Sequence, residues 1–493
     1  MADDSTRSRR SLLVALVATA LYLATSALCM LADNFYVLLL PLVALLVLFF
    51  VCRLEVALLS VALLTPFAVN AELMPGMQLS IPVEPMMILF SAVFLFRVLV
   101  DKTYDRRILR HPVSIAVGLS LVWFLVTACF SSMPGVSLKY FVVRLWFVLP
   151  FYYAAVQIFS DPRRRWQLVL CYAVGLVCVV VIATAKTVGN FSDLQTLHRV
   201  MRPFYNDHTA YGCVLALFVP VLTHFALARG RSMWLRLLSA VLLTAVLVGL
   251  AFSYSRAAWI SVVGALLVYL LVRLGIKMRW MLAGFVLLLG LFFVHQSDVI
   301  YKLGKNQQDS AYDLSGQLKS ISNISTDASN LERLNRWASA FRMWREHPVM
   351  GCGPGTYQFL YGSYQRSYQL SVISTYAGDL GNAHSEYIGP LTEQGVPGVV
   401  LVLCVFGFTF VTGVRVYRTA ANPLAGRAAL AFAVSLVTYY IHGLFNNFLD
   451  TDKLSVPFWA MTAAVVAIDL YTPKRDEAAA EEPSPSHPDE EAA

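Results

Sequence analysis

The sequence predicts an all-α polytopic membrane protein of about 14 transmembrane helices, with one large loop on the outer side that contains short amphipathic helices. Three observations carry this reading. Hydrophobic residues make up 58% of the 493 positions and charged residues only 14%, against roughly 45–50% and about 25% in soluble domains. The apolar residues fall in uninterrupted runs of about 17–22, the helix length that crosses a ~30 Å hydrocarbon core. Lys and Arg fall at alternate ends of those runs, as positive charge that resists translocation must.

In chain order the spans are expected near 11–31, 35–52, 54–70, 83–100, 113–130, 138–159, 166–188, 208–228, 233–252, 256–273, 279–295, 396–414, 427–446 and 454–471. The first follows a basic segment, but its apolar stretch exceeds the 7–15 residues of a cleaved signal, so it is kept as a span. One set of alternate ends carries Arg7, Arg9 and Arg10, Arg53, Lys102 to Arg110, Arg163 to Arg165, Arg229 to Arg236, Arg273 to Arg279, Arg415 to Arg427, and Lys474 with Arg475. The opposite ends carry few, such as Lys139, Lys186, Arg199, Arg202 and Lys453. Both termini are then cytoplasmic. The chain divides into spans over 1–295, an outer loop over 296–395, further spans over 396–471, and a tail over 472–493, rich in Ala, Glu and Pro, that has nothing to bury and is expected to be disordered. The formal charge of +8 follows from retained cytoplasmic loops and implies no nucleic-acid partner. Seven of the eight cysteines lie in apolar runs, without zinc or disulfide spacing.

The outer loop is polar and irregular through Ser329, and folded after it. Ser329-Asn-Leu-Glu332 has the pattern of a capping box. Leu331, Leu334, Ala338 and Phe341 then recur at helical spacing until Pro348 to Gly355 (PVMGCGPG) stops the helix. Its tryptophans (Trp337, Trp344) and arginines (Arg333, Arg336, Arg342, Arg345) suit a headgroup layer. The chain returns toward the membrane as NAHSEYIGPLTEQGVPG, where a helix would put His384, Ile388 and Leu391 on one face and Glu386 on another. A lone histidine there is more often a hydrogen-bonded structural residue; its company gives it another possible role.

That company is arginine. Arg202 lies in RPFYNDHTAYG, with Asp207 and His208, and Arg256 begins the span that follows SYS; both are on the outer side. Arg144 sits within a span, about a turn and a half from its outer end, where a charge is costly unless it faces a cavity or a partner. Arginines gathered on an otherwise weakly basic side fit a phosphorylated ligand, because a guanidinium fork matches two phosphate oxygens. Pairing with lipid phosphate or with Asp207 is the alternative. No Walker loop, HExxH pair or Cys/His cluster is present, so neither cofactor nor metal is expected.

The order RPFYNDHTAYG, SYSRAAW, LERLNRWASAFRMWREHPVMGCGPGTY and AHSEYIGPLTEQGVPG, over roughly 190–415, resembles the O-antigen ligase and polymerase superfamily of bacterial inner-membrane glycosyltransferases. The resemblance implies transfer of a glycan from undecaprenyl pyrophosphate to a hydroxyl of an acceptor glycolipid or glycan at the periplasmic face, without nucleotide or metal. It makes the outer loop periplasmic and assigns the loop histidine, here His384, to the acceptor. The arginines assigned to the pyrophosphate are here Arg202, Arg256 and one of Arg333 or Arg336. Arg144, Asp207, His208 and Glu386 stand as possible support, Glu386 as a reserve base. Ser385 occupies a position where the family often has Asn. Two functions follow within the superfamily, a ligase or a polymerase of surface polysaccharide. A lipid or polysaccharide transporter is the rival of another class, though transporters place ionisable groups near the midplane of two repeats, whereas here they crowd the outer end of the second half.

Overall fold

The computed structural model describes residues 19–26, 31, 36–74, 77–188, 199–284, 287, 328–371, 374–375 and 381–475. Most of the expected spans 11–31 and 279–295, the polar half of the loop through residue 327 and the tail beyond Arg475 lie outside them. The chain divides into a unit over Met1–Ala57 and a second over Leu58–Ala493. In the first, α1 (Leu40–Cys52) follows a 3-10 turn at Tyr36–Leu39. The second holds all the elements described below from β1 onward.

Ten described helices are long and apolar enough to cross a membrane, so the chain is an all-α multi-pass membrane protein. The count of fourteen is not reached among the described residues. The runs 35–52 and 54–70 form α1, of 13 residues, and α2 (Leu54–Leu64), of 11 residues. At 1.5 Å per residue these rise about 20 and 16 Å, each short of a ~30 Å core, and together they supply at most one further span. The second run counted as one span because its residues are apolar, but its helix stops in a 3-10 turn holding Pro66 and gives way to a hairpin, β1 (Val69–Met74) against β2 (Met77–Ile81).

The spans are α3 (Val83–Asp101), α4 (Pro112–Cys129), α5 (Pro134–Ile158), α6 (Pro162–Val188), α7 (His208–Leu227), α8 (Met233–Ala251), α9 (Arg256–Arg273), α11 (Ile388–Thr419), α12 (Pro423–His442) and α13 (Asp452–Tyr471), with loop helix α10 (Ala328–Glu346) between α9 and α11. Local chemistry sets their starts. Asp207 caps α7 through Oδ1, which accepts from the N–H groups of Thr209 and Ala210, and Asn422 caps α12 in the same way. His111 Nδ1 accepts from Val113 N ahead of α4, whose first residue is Pro112. Burial then sorts the helices: 83% of the α13 span is enclosed by protein against 22% of α9. A helix apolar on all sides and enclosed on all sides is a central helix, and α7, α12 and α13 form that centre.

At the loop-bearing end of the bundle, Lys453 Nζ donates to the carbonyls of Thr65 and Ala68, both at 2.7 Å, and lies 3.4 Å from Asp452 Oδ2, which also accepts from Ser80 Oγ. This buried group ties the hairpin to the start of α13. α11 is broken at Gly395, whose φ is 69°. The carbonyls released around the break find donors in other segments. Thr392 O accepts from Cys352 N, Glu393 O from Gly353 N at 2.8 Å, and Gln394 O from the Trp123 indole at 2.9 Å. Val396 N donates to Pro348 O. The GCGPG segment is thereby a brace between α11 and the α4–α5 turn, where Ser132 N and Oγ donate to Cys352 O.

The four described residues of the tail, 472–475, are tied to the α11–α12 turn: Ala421 N donates to Pro473 O and Arg475 Nε to Ala420 O. The expected disorder from Thr472 is corrected to that extent, because the α11–α12 turn offers free backbone groups.

A β-carbon at Gly395 would strike the Val349 carbonyl, and φ 69° disfavours any L side chain. Gly395→Ala is expected to cost about 2 kcal/mol or more, read as a drop of several degrees in the melting temperature of the detergent-solubilised protein; unchanged melting would refute this account of the break.

Candidate active site

The segment Asn382–Tyr387 contradicts the expected helix. Asn382 Oδ1 accepts from His384 N at 3.0 Å, an Asx turn, and His384 takes a left-handed φ of 48°. The side-chain bond offers the backbone an alternative to helix, so α11 starts only at Ile388 and the face shared by His384, Ile388 and Leu391 does not form. Ser385 Oγ instead caps that start, accepting from Tyr387 N and Ile388 N, while it donates to Gly443 O at 3.3 Å.

The next two residues fasten the segment to the end of α12. Glu386 N donates to Gly443 O at 2.8 Å and Tyr387 OH to Tyr440 O at 2.7 Å. The Glu386 carboxylate is buried, and its Oε1 accepts from Tyr439 OH and from the backbone N–H groups of Phe448 and Leu449. Burial pushes this carboxyl up from the usual range and Asp450 adds to the push, against the bonds from Tyr439 and Leu449 and the charge of Arg144. Glu386 is thus engaged in holding the α12–α13 connection.

The arginines separate into different environments. Arg336 is buried and turned into the loop: it pairs with Glu332 at 2.8 Å, donates to Asn382 O and Thr375 Oγ1, and lies over the Tyr361 ring at 5.0 Å. Glu332 is therefore no capping-box partner; it also accepts from Ser371 and Ser374, and Ser329 lies inside α10. That helix packs Ala340 and Met343 against Cys352, Tyr357, Tyr361 and Ala383 of its own loop, while on the expected apolar face Leu331, Leu334 and Ala338 are half-buried and Phe341 is exposed. Arg333, one turn earlier, is half-buried and donates to Phe445 O at 3.2 Å. Arg144 pairs with Asp450 at 2.9 Å and reaches Leu449 O. Arg202 is exposed, with Nε 3.4 Å from Asn206 O. Arg256 is the half-buried first residue of α9, and His208, also half-buried, is that of α7.

His384 thus lies within electrostatic reach of Arg333, Arg336 and Asp207. Burial, then the two arginines, hold its imidazole down to about 3 against the opposing pull of Asp207, so it is neutral at physiological pH. The charges of Arg333 and Asp207 also act on a second imidazole, His442, at the last residue of α12. The close approach of α7 to the α8–α9 turn, where a β-carbon at Gly212 would lie 2.7 Å from Ser255 Cβ, brings the start of α9 to the same place. The structure gathers His384, Arg333, Asp207 and the start of α9, directs Arg336 into the loop core, and puts Arg144 with Asp450. His442 was not visible in the sequence pattern. Its signal was a polar residue in the last turn of an apolar span at the loop-bearing end, followed by Asn446 and Asn447.

Residues 240–403 match the family model Wzy_C, described as O-Antigen ligase. The match takes in Arg256, the whole of α10 and the His384 segment; Arg144, Arg202, Asp207 and His442 lie outside it. No curated protein matches the chain.

Because the folded His384 binds a proton only near pH 3 while the unfolded side chain does so near 6.5, the unfolded state gains protons first on acidification. Stability from this site is full above about pH 6.5 and falls as pH drops toward 3. His384→Gln is expected to flatten the acid side of the melting-temperature profile between pH 7 and 5, and an unchanged slope would refute the neutral imidazole.

Proposed function

We propose that the chain is a glycan-transferring membrane enzyme of the O-antigen ligase and polymerase superfamily, a reading that the match over residues 240–403 supports, and that it moves a glycan from undecaprenyl pyrophosphate to the hydroxyl of an acceptor glycolipid. The observation that carries the reading is a half-buried His384 at the end of the loop, its backbone fixed by Asn382 and its imidazole neutral within electrostatic reach of Arg333. The site lies, on this reading, at the periplasmic face of the bacterial inner membrane, with both termini cytoplasmic.

The acceptor oxygen bonds to the anomeric carbon as the bond from that carbon to the pyrophosphate oxygen breaks. The hydroxyl proton goes to the His384 imidazole, and undecaprenyl pyrophosphate leaves with the bonding electron pair. General-base help of this kind contributes about 10²–10⁴ in rate. Arg333, Arg256 and Arg202 face the charge that develops on the leaving group, where loss of one preorganised donor costs about 10²–10³. Arg333, one of the two arginines that keep His384 a weak base, is offset by a bound pyrophosphate. The imidazole then gains proton affinity when the donor is in place, so the base strengthens with the substrate that needs it.

A glycan end as acceptor, in place of a glycolipid, turns the same chemistry into polymerisation. The two are separated by the surface glycolipid profile of a deletion strain. Loss of long polysaccharide from the acceptor lipid while it persists on the polyprenyl carrier marks a ligase, and acceptors bearing only single repeat units mark a polymerase. His384→Ala is expected to behave as the deletion; a normal profile from the well-expressed variant would sink the assignment.

The arginine roles predict a division. Arg256→Lys and Arg333→Ala are expected to cut transfer by about 10²-fold at normal protein levels. Arg336→Ala is expected to lower the amount of folded protein, since it leaves Glu332 buried without its cation. Full transfer by Arg256→Lys would remove the phosphate argument.

A further inference from the structure

Two buried polar atoms at the start of α9 lack hydrogen-bond partners. Ser255 is 1% exposed and stands at the cap position of α9, yet its side chain makes no capping bond and its Oγ has no partner. His442 is 0% exposed, and its Nδ1 likewise has none. The backbone carbonyl of Ala257, in the first turn of α9, faces the His442 ring but is too poorly aligned to make a full hydrogen bond to that nitrogen. The other ring nitrogen, Nε2, lies 3.1 Å from Asn446 Nδ2. An amide nitrogen can only donate, so Nε2 accepts and the ring proton sits on Nδ1. Nδ1–H is then a donor with no well-aligned acceptor, next to an uncapped serine at the positive end of a helix.

Buried polar groups left unmatched are rare and costly, and here two converge where Arg256 begins a helix whose dipole attracts an anion. We propose that Ser255 Oγ and His442 Nδ1–H form a phosphate subsite at the start of α9, beside Arg256, and take one phosphate of a polyprenyl pyrophosphate. The subsite rests on the reading given under Proposed function, and gives the second phosphate a place apart from Arg333. Asn446 belongs to it as a positioning residue, because it fixes which nitrogen of His442 donates.

The test is equilibrium binding of undecaprenyl pyrophosphate to the full-length protein in nanodiscs. Ser255→Ala is expected to weaken binding about 10-fold while leaving the melting temperature of the empty protein unchanged or higher, since it removes an unmatched buried hydroxyl. A merely structural serine would give the reverse on both counts. His442→Asn, whose amide nitrogen takes the place of Nδ1, is expected to bind within about 3-fold of the wild type, and His442→Gln, whose amide takes the place of Nε2, about 10-fold more weakly. If the wild type binds and Ser255→Ala binds equally well, the subsite is wrong and the proposed reaction stands. If the wild type itself does not bind undecaprenyl pyrophosphate, the proposed reaction fails and the subsite with it. Should His442→Gln not purify as a single species, Ser255→Ala with His442→Asn decides.

Discussion

A single buried carboxylate oxygen organises the loop-bearing end of this protein. Glu386 Oε1 takes hydrogen bonds from Tyr439, Phe448 and Leu449, and a carboxyl group out of water is tolerable only when so surrounded. The consequence is a fixed shape for the connection between α12 and α13. That connection then spends its own carbonyls on the side chains and backbone around it: Gly443 on Glu386 N and Ser385, Phe445 on Arg333, Leu449 on Arg144. Three groups from distant parts of the sequence are located by one short segment, and that segment by one carboxylate.

Arg333 and Arg336 show how neighbouring residues of one type come to different ends. Both lie on α10, three positions apart, so both lie near one face of the helix. Arg336 is enclosed by Glu332, Thr375, Asn382 and the Tyr361 ring, and its donors are consumed in closing the loop on itself. Arg333 leans toward the α12–α13 connection and shares its field with His384 and His442. The loop thus contributes one arginine to its own cohesion and one to the site.

The ten spans were legible because crossing a bilayer imposes a length and an apolarity that no other demand imitates. The two short helices α1 and α2 were not, because a hydropathy run records composition and not where a helix ends; Pro66 and the hairpin decide that. The Asn382 side chain redirected the backbone of His384, a local competition that helical spacing does not register. Glu332 matched a capping pattern, but its partners Ser371 and Ser374 lie far along the chain, beyond the reach of any short motif. His442 was hidden for a simpler reason: a histidine closing an apolar span looks like the end of a helix. Only the fold brings it against the start of α9.

The break at Gly395 also divides α11 into two lengths. From Val396 to Thr419 the helix rises about 36 Å at 1.5 Å per residue, enough by itself to cross the ~30 Å hydrocarbon layer. The part before the break need not lie in hydrocarbon, and its backbone is woven into the GCGPG brace and the residues around His384. Under the proposed function, chemistry placed there works at the level of lipid headgroups. On the proposed reaction, a sugar polymer would remain in water along its whole length and offer only its last linkage to the protein. The energetic demand of handling it would be the same for a short oligosaccharide as for a very long one, so nothing in such a site would count monomers, and any control over product length would have to reside elsewhere.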